Sequence, residues 1–87
     1  MITELSAAYK AAVQDINGEQ QFEISRQVYM DALECLPPVY GLTNGEFWVG
    51  EPYSDDENGN PTALQCWKEN GKYYCRISTI TAIGYRR

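Results

Sequence analysis

Histidine is absent from the 87 residues. That absence removes the side chain that most often serves as a general base near neutral pH, and with it the commonest nitrogen ligand for zinc. Most hydrolase and zinc-centre designs drop out. No apolar run reaches the roughly 18 residues needed to cross a bilayer. MITELSAAYK has neither the basic start nor the apolar stretch of a secretion signal. The expectation is a cytoplasmic protein that spans no membrane. Phosphate-cradling glycine loops are also missing: Gly18, Gly41, Gly45, Gly50, Gly59, Gly71 and Gly84 are isolated turn residues.

Cysteine is sparse and odd in number, with Cys35, Cys66 and Cys75. Without an export signal, reduced thiols are the default. The spacing of Cys66 and Cys75 is neither a CxxC redox pair nor part of a four-ligand metal set, so both read as small apolar core residues. Cys35 falls at the C-terminus of an expected helix, where the dipole disfavours a thiolate.

Positive charge is nearly missing from the first 57 residues. Eleven carboxylates (Glu4, Asp15, Glu19, Glu23, Asp31, Glu34, Glu46, Glu51, Asp55, Asp56 and Glu57) face only Lys10 and Arg26, a net of −9. The remainder sets Lys68, Lys72, Arg76, Arg86 and Arg87 against Glu69, a net of +4. The acidic part repels a phosphate backbone and draws a basic protein surface toward it, or serves solubility alone. The acidic loop DDENGN is oxygen-rich but lacks the alternating frame and terminal Glu of an EF-hand, so it reads as a solvated turn. No spacing sets two of Glu46, Glu51, Asp55 and Asp56 across a substrate. With no catalytic group, metal set or cofactor motif in view, the chain reads as a non-enzyme without cofactor.

What is present is a foldable composition. Apolar residues make up 44 % of the chain, with seven Tyr, two Trp and two Phe, and this length supports a single domain, residues 1–87. Ile2, Leu5, Tyr9, Ala12, Val13 and Ile16 recur at helical spacing before Asn17-Gly18, with Glu4 in the first turn, which predicts a helix over 2–16. A second helix is expected over 25–35, capped by Ser25, striped by Val28, Ala32, Leu33 and Leu36, and ended by Pro37-Pro38. Phe22 and Ile24 fit either an extended connection or an earlier helix start. Strands are expected over 46–53, with Gly50 as a bulge and Pro52 fraying the end, and over 62–69 and 72–80. The resulting class is α+β, two N-terminal helices on a three-stranded antiparallel sheet in the order ααβββ.

Asn70-Gly71 is the strongest local signal, because both central positions of a type I′ turn need positive φ. A two-residue loop sets Glu69 opposite Lys72, Trp67 opposite Tyr74, Cys66 opposite Cys75, Gln65 opposite Arg76 and Leu64 opposite Ile77. One face then holds Leu64, Cys66, Cys75 and Ile77, small and apolar as if to lie under helices. The other holds Gln65, Trp67, Glu69, Lys72, Tyr74 and Arg76. If helices cover the thiol face, Trp67 and Tyr74 look outward, either as a stabilising cross-strand pair or as an interface centre; the reverse packing buries both rings.

The run Leu36-Pro37-Pro38, the strand with Glu51-Pro52-Tyr53, the turn Gly59-Asn60-Pro61 and the hairpin Asn70-Gly71-Lys72-Tyr73-Tyr74 resemble a group of small proteins of unassigned function carried by bacterial plasmids and phages. The resemblance spans about residues 29–77 and implies mobile-element origin with no catalytic role. Small acidic proteins of such elements include inhibitors of host defence complexes, anti-CRISPR and anti-restriction proteins among them. The expected function is therefore a protein-binding accessory or inhibitor, with Trp67, Tyr74, Arg76, Lys72, Glu51, Asp55 and Asp56 as its contact residues and a basic surface on the partner. The alternative is single-stranded nucleic acid binding, with Trp67 and Tyr74 stacking on bases and Lys72, Arg76, Arg86 and Arg87 meeting phosphates. A homodimer through a sheet edge at the hairpin or at 46–53, with Trp48 in a two-fold contact, is a third.

Overall fold

The structure is a computed structural model that describes residues 1–15, 20–34, 39–41, 46–55 and 57–80, with backbone alone at 39–41 and 50–54. In chain order these residues form α1 (Leu5–Gln14), β1 (Phe22–Ile24), α2 (Arg26–Leu33), β2 (Val39–Gly41), β3 (Phe47–Asp55), β4 (Pro61–Glu69) and β5 (Lys72–Thr79). The strands make one antiparallel sheet in the order β1-β5-β4-β3-β2. The class is α+β, but the expected ααβββ order and three-stranded sheet are corrected. Two further strands, β1 and β2, extend the sheet at its two edges.

Both additions are three residues long, too short to display a period of two in the sequence. Pairing alone defines them. Phe22, Glu23 and Ile24 align with Cys75, Tyr74 and Tyr73, and Val39, Tyr40 and Gly41 align with Val49, Trp48 and Phe47. Four successive antiparallel pairings make β1 and β2 parallel to one another, so α2 has to cross from one edge of the sheet to the other. On that path it touches β5, β4 and β3, while α1 packs on β5, β1 and α2. Both helices therefore cover one face.

The helices start where local hydrogen bonds allow. Ser25 caps α2, its Oγ accepting from the Val28 N–H at 3.1 Å. Glu4 is the N-cap residue of α1 rather than part of its first turn. Ile2, expected within that helix, is instead extended. Its N–H donates to the Glu23 carbonyl at 3.0 Å and its carbonyl accepts from the Ser25 N–H at 2.8 Å, a parallel bridge beside β1. The buried stripes also differ from expectation. Ala8 and Ala12 of α1 and Val28, Tyr29 and Ala32 of α2 are buried, whereas Tyr9 and Leu33 are exposed. Alanines at i and i+4 let α1 come close to its neighbours, which sets the helix rotation and turns Tyr9 out. Ile16 and Leu36, assigned to the same stripes, lie outside the described residues.

The hairpin has the expected register throughout, from Glu69 opposite Lys72 to Leu64 opposite Ile77. Asn70 and Gly71 take φ of 53° and 79°, as the type I′ turn requires. At Gly71 an added Cβ meets nothing within 4 Å, so the cost of Gly71→Ala is conformational alone, about 1–2 kcal/mol. Urea unfolding should show a lower midpoint with an unchanged slope.

β3 runs on to Asp55, past the expected fraying at Pro52. Val49 pairs with Leu64 and Ser54 with Thr62, so five steps on β3 match two on β4. Pro52 falls in this irregular stretch, where its missing N–H forfeits no register bond to β4.

The main core lies between sheet and helices. Ile24, Phe47, Val49, Leu64, Cys66, Cys75 and Ile77 meet Ala8, Ala12, Val28, Tyr29 and Ala32 there. Tyr29 fills its centre, with ring centroids 5.3 Å from Phe47 and 4.8 Å from Tyr73.

Candidate functional site

The helices cover the thiol face, so residues of the opposite parity form the outer face: Glu23, Trp48, Ala63, Gln65, Trp67, Glu69, Lys72, Tyr74, Arg76 and Ser78. This face has two halves. Toward the bulge, Trp48, Ala63 and Gln65 are buried although neither α1 nor α2 stands over them. Toward the hairpin, Trp67, Tyr74 and Arg76 are half-buried, and Glu69 and Lys72 are exposed.

A line of polar contacts joins the halves. The Trp48 Nε1–H donates to Ser78 Oγ at 3.0 Å, and the Ser78 hydroxyl donates to Gln65 Oε1 at 2.7 Å. Trp48 stands on β3 and Ser78 on β5, so the indole has to reach across β4, over the row where Ala63 presents only a methyl group. Gln65 Oε1 also accepts from the Arg76 Nε–H at 3.2 Å. The Arg76 guanidinium then lies 5.4 Å from the centre of the Trp67 ring. Trp67 is tilted 30° against Tyr74 with centroids 5.8 Å apart, and its Nε1–H donates to Glu69 Oε1 at 3.1 Å.

Of the expected contact residues, Trp67, Tyr74 and Arg76 are brought together, with Lys72 at the hairpin end of the same face. Asp55 is exposed and pairs with Pro61, six residues up β4 from Trp67. At about 3.4 Å per residue it stands roughly 20 Å from the aromatic pair. Glu51 lies in β3 with its side chain undescribed, and Asp56, like Arg86 and Arg87, lies outside the described residues. Gln65 and Ser78 are additions that sequence reasoning had not assigned a role. Gln65 was legible as the partner of Arg76 in the hairpin, but Trp48 joins them only through the long-range pairing of β3 with β4.

The proposed two-fold contact through Trp48 is corrected, since the indole is 1 % exposed within its own chain. Neither strand proposed as an edge is one: β3 lies between β2 and β4, and the hairpin's β5 pairs with β1.

The thiols belong to the other face. Cys66 and Cys75 are free, buried and directly opposite one another. Burial pushes the Cys75 thiol up from 9.0 to about 11. Cys66 is pushed up further by burial and then by charge on Cys75. Burial also raises Tyr29, with Cys66 and Tyr73 adding to the effect. In each case the folded state favours the neutral form, so the stability it contributes is whole below the ordinary value and is lost as pH rises; for Cys75 it is whole below pH 9 and lost as pH rises through about 11. Urea unfolding across pH 8–11 should show the decline, and Cys75→Ala should make it shallower.

Among the described residues no three of Cys, Asp and Glu gather as a metal-ion set, and no helix is long and apolar enough to cross a membrane. Comparisons with protein-family models, curated proteins and solved structures give no match.

Proposed function

We propose that this chain is a small, acidic, non-enzymatic protein-binding module of the cytoplasm, of plasmid or phage origin, acting as an accessory to or inhibitor of a host complex such as a defence system. The observation that carries the reading is the half-buried Trp67–Tyr74 pair with Arg76 against it, on the face the helices leave uncovered. Tryptophan, tyrosine and arginine are the side chains most enriched at interface centres. The net charge of −5 steers the encounter toward a partner with a basic surface.

The local charge favours protein over nucleic acid. Glu69 accepts from Trp67, and Glu23 stands directly opposite Tyr74. A strand whose bases stacked on these rings would bring its phosphates toward both carboxylates, whereas a protein surface can match mixed charge residue by residue. The test is a pair of measurements on the full chain: retention of a specific host protein by tagged wild type and by Trp67→Ala, and Trp fluorescence titration with single-stranded oligonucleotides at low salt. The reading expects retention lost in the variant and no quenching. Quenching abolished by Trp67→Ala would replace it with the nucleic-acid alternative.

A further inference from the structure

Arg76 is more constrained than an interface arginine needs to be. Its Nε–H is taken by Gln65 Oε1 and its face lies against Trp67. Gln65 is itself 4 % exposed and held by the Ser78 hydroxyl, which is oriented in turn by the Trp48 indole. Both lone pairs of Gln65 Oε1 are thereby used by donors, which fixes the amide and, through it, the plane of the guanidinium. A guanidinium carries five N–H donors. The four on its two Nη atoms have no acceptor among the described residues. Among the described residues this makes a fixed, half-desolvated fork with its outer prongs unoccupied.

We propose that this fork receives a single carboxylate, an aspartate or glutamate side chain of the protein that docks on the outer face. The proposal rests on the protein-binding reading above and names the chemistry at its centre. Two parallel N–H donors match the two oxygens of a planar carboxylate. Rotamer freedom that an ordinary surface arginine loses on binding is already lost here, so more of each hydrogen bond survives as affinity. Glu69 and Glu23 decide between anions. Both flank the aromatic pair beside Arg76, and their repulsion acts about twice as strongly on a dianionic phosphate as on a singly charged carboxylate. Trp67 and Tyr74, next to the fork, offer ring surface to an apolar neighbour of the acid. The occupant is thus an acidic residue flanked by apolar ones on an otherwise basic partner.

The test is NMR titration of the full chain with the acetylated, amidated tripeptide Leu-Glu-Leu, with Leu-Gln-Leu, and with inorganic phosphate, following the Arg76 Nε–H and Trp67 Nε1–H signals. The Glu peptide is expected to shift both saturably and at least tenfold more tightly than the Gln peptide. Arg76→Lys, which keeps the charge and loses the fork, should remove that preference. Ser78→Ala, which cuts the support and leaves Arg76 in place, should weaken it. Equal binding of the Glu and Gln peptides overturns the proposal, as does phosphate shifting the same signals at lower concentration. If the carboxylate preference is absent while Trp67→Ala still abolishes partner retention, the outer face remains the docking surface and only its occupant is misassigned. If Trp67→Ala retains the partner, both readings fall.

Discussion

Trp48→Ala is expected to lower the free energy of unfolding by about 3–5 kcal/mol, and Trp67→Ala by about 1 kcal/mol. Both indoles lie on the face opposite the helices, so their difference comes from what surrounds each ring. Trp48 is 1 % exposed, and its N–H is bonded to Ser78. Truncation there opens a large void over β4 and frees Ser78 and Gln65 from their shared orientation. Domains of this size have about 5–15 kcal/mol of total stability, so the Trp48 variant stands near the limit of folding. Trp67 is half-buried, and its loss removes one cross-strand ring contact, the ring's contact with the Arg76 guanidinium and one exposed hydrogen bond to Glu69. Trp48→Phe retains most of the ring and loses the N–H, and should fall between the two. Urea unfolding followed by circular dichroism reads all three; equal costs for the two alanine variants would mean that the bulge half of the outer face is not a second packed region.

The ranking reverses for binding. Against the isolated partner, Trp67→Ala and Arg76→Ala should each weaken affinity by at least 2 kcal/mol, about thirtyfold, as truncations at the centre of an interface do. Lys72→Ala and Asp55→Ala should change affinity less than about threefold, acting mainly on association rate and its salt dependence. Lys72 is exposed at the end of the hairpin, and Asp55 lies at the far end of the sheet. Both charges therefore act through solvent. Surface-immobilised kinetics on variants with unchanged circular dichroism would separate the two groups, and a Trp67→Ala variant that binds as tightly as wild type would remove the aromatic pair from the interface.

Reading the chain along its length recovered the hairpin completely, because a two-residue turn dictates every pairing that follows it. Trp67, Tyr74 and Arg76 were legible as one cluster for the same reason. The helices were legible in place but not in rotation. Periodicity names a stripe several residues wide, and only packing of Ala8 and Ala12 against their neighbours decides that Tyr9 faces water. The strand expected over 46–53 is present with an irregularity next to Gly50, and only its fraying at Pro52 and its place at an edge were misjudged. An isolated run with Pro52 inside it looks like a fraying edge, yet β3 is an interior strand whose irregular stretch accommodates the proline.

Sequence alone determined the chemistry in supply: no imidazole, two thiols on one face, an acidic majority of charge, and an aromatic-arginine cluster at a fixed register. Tertiary structure decided that three-residue strands close both sides of the sheet, that Trp48 is buried while Trp67 is half-open, and that Gln65 and Ser78 hold Arg76 in place. The division follows contact range. A tight turn propagates its geometry through neighbouring backbone bonds, whereas edge pairing and the reach of an indole across a strand depend on residues far apart in the chain, and these meet only once the whole sheet is assembled.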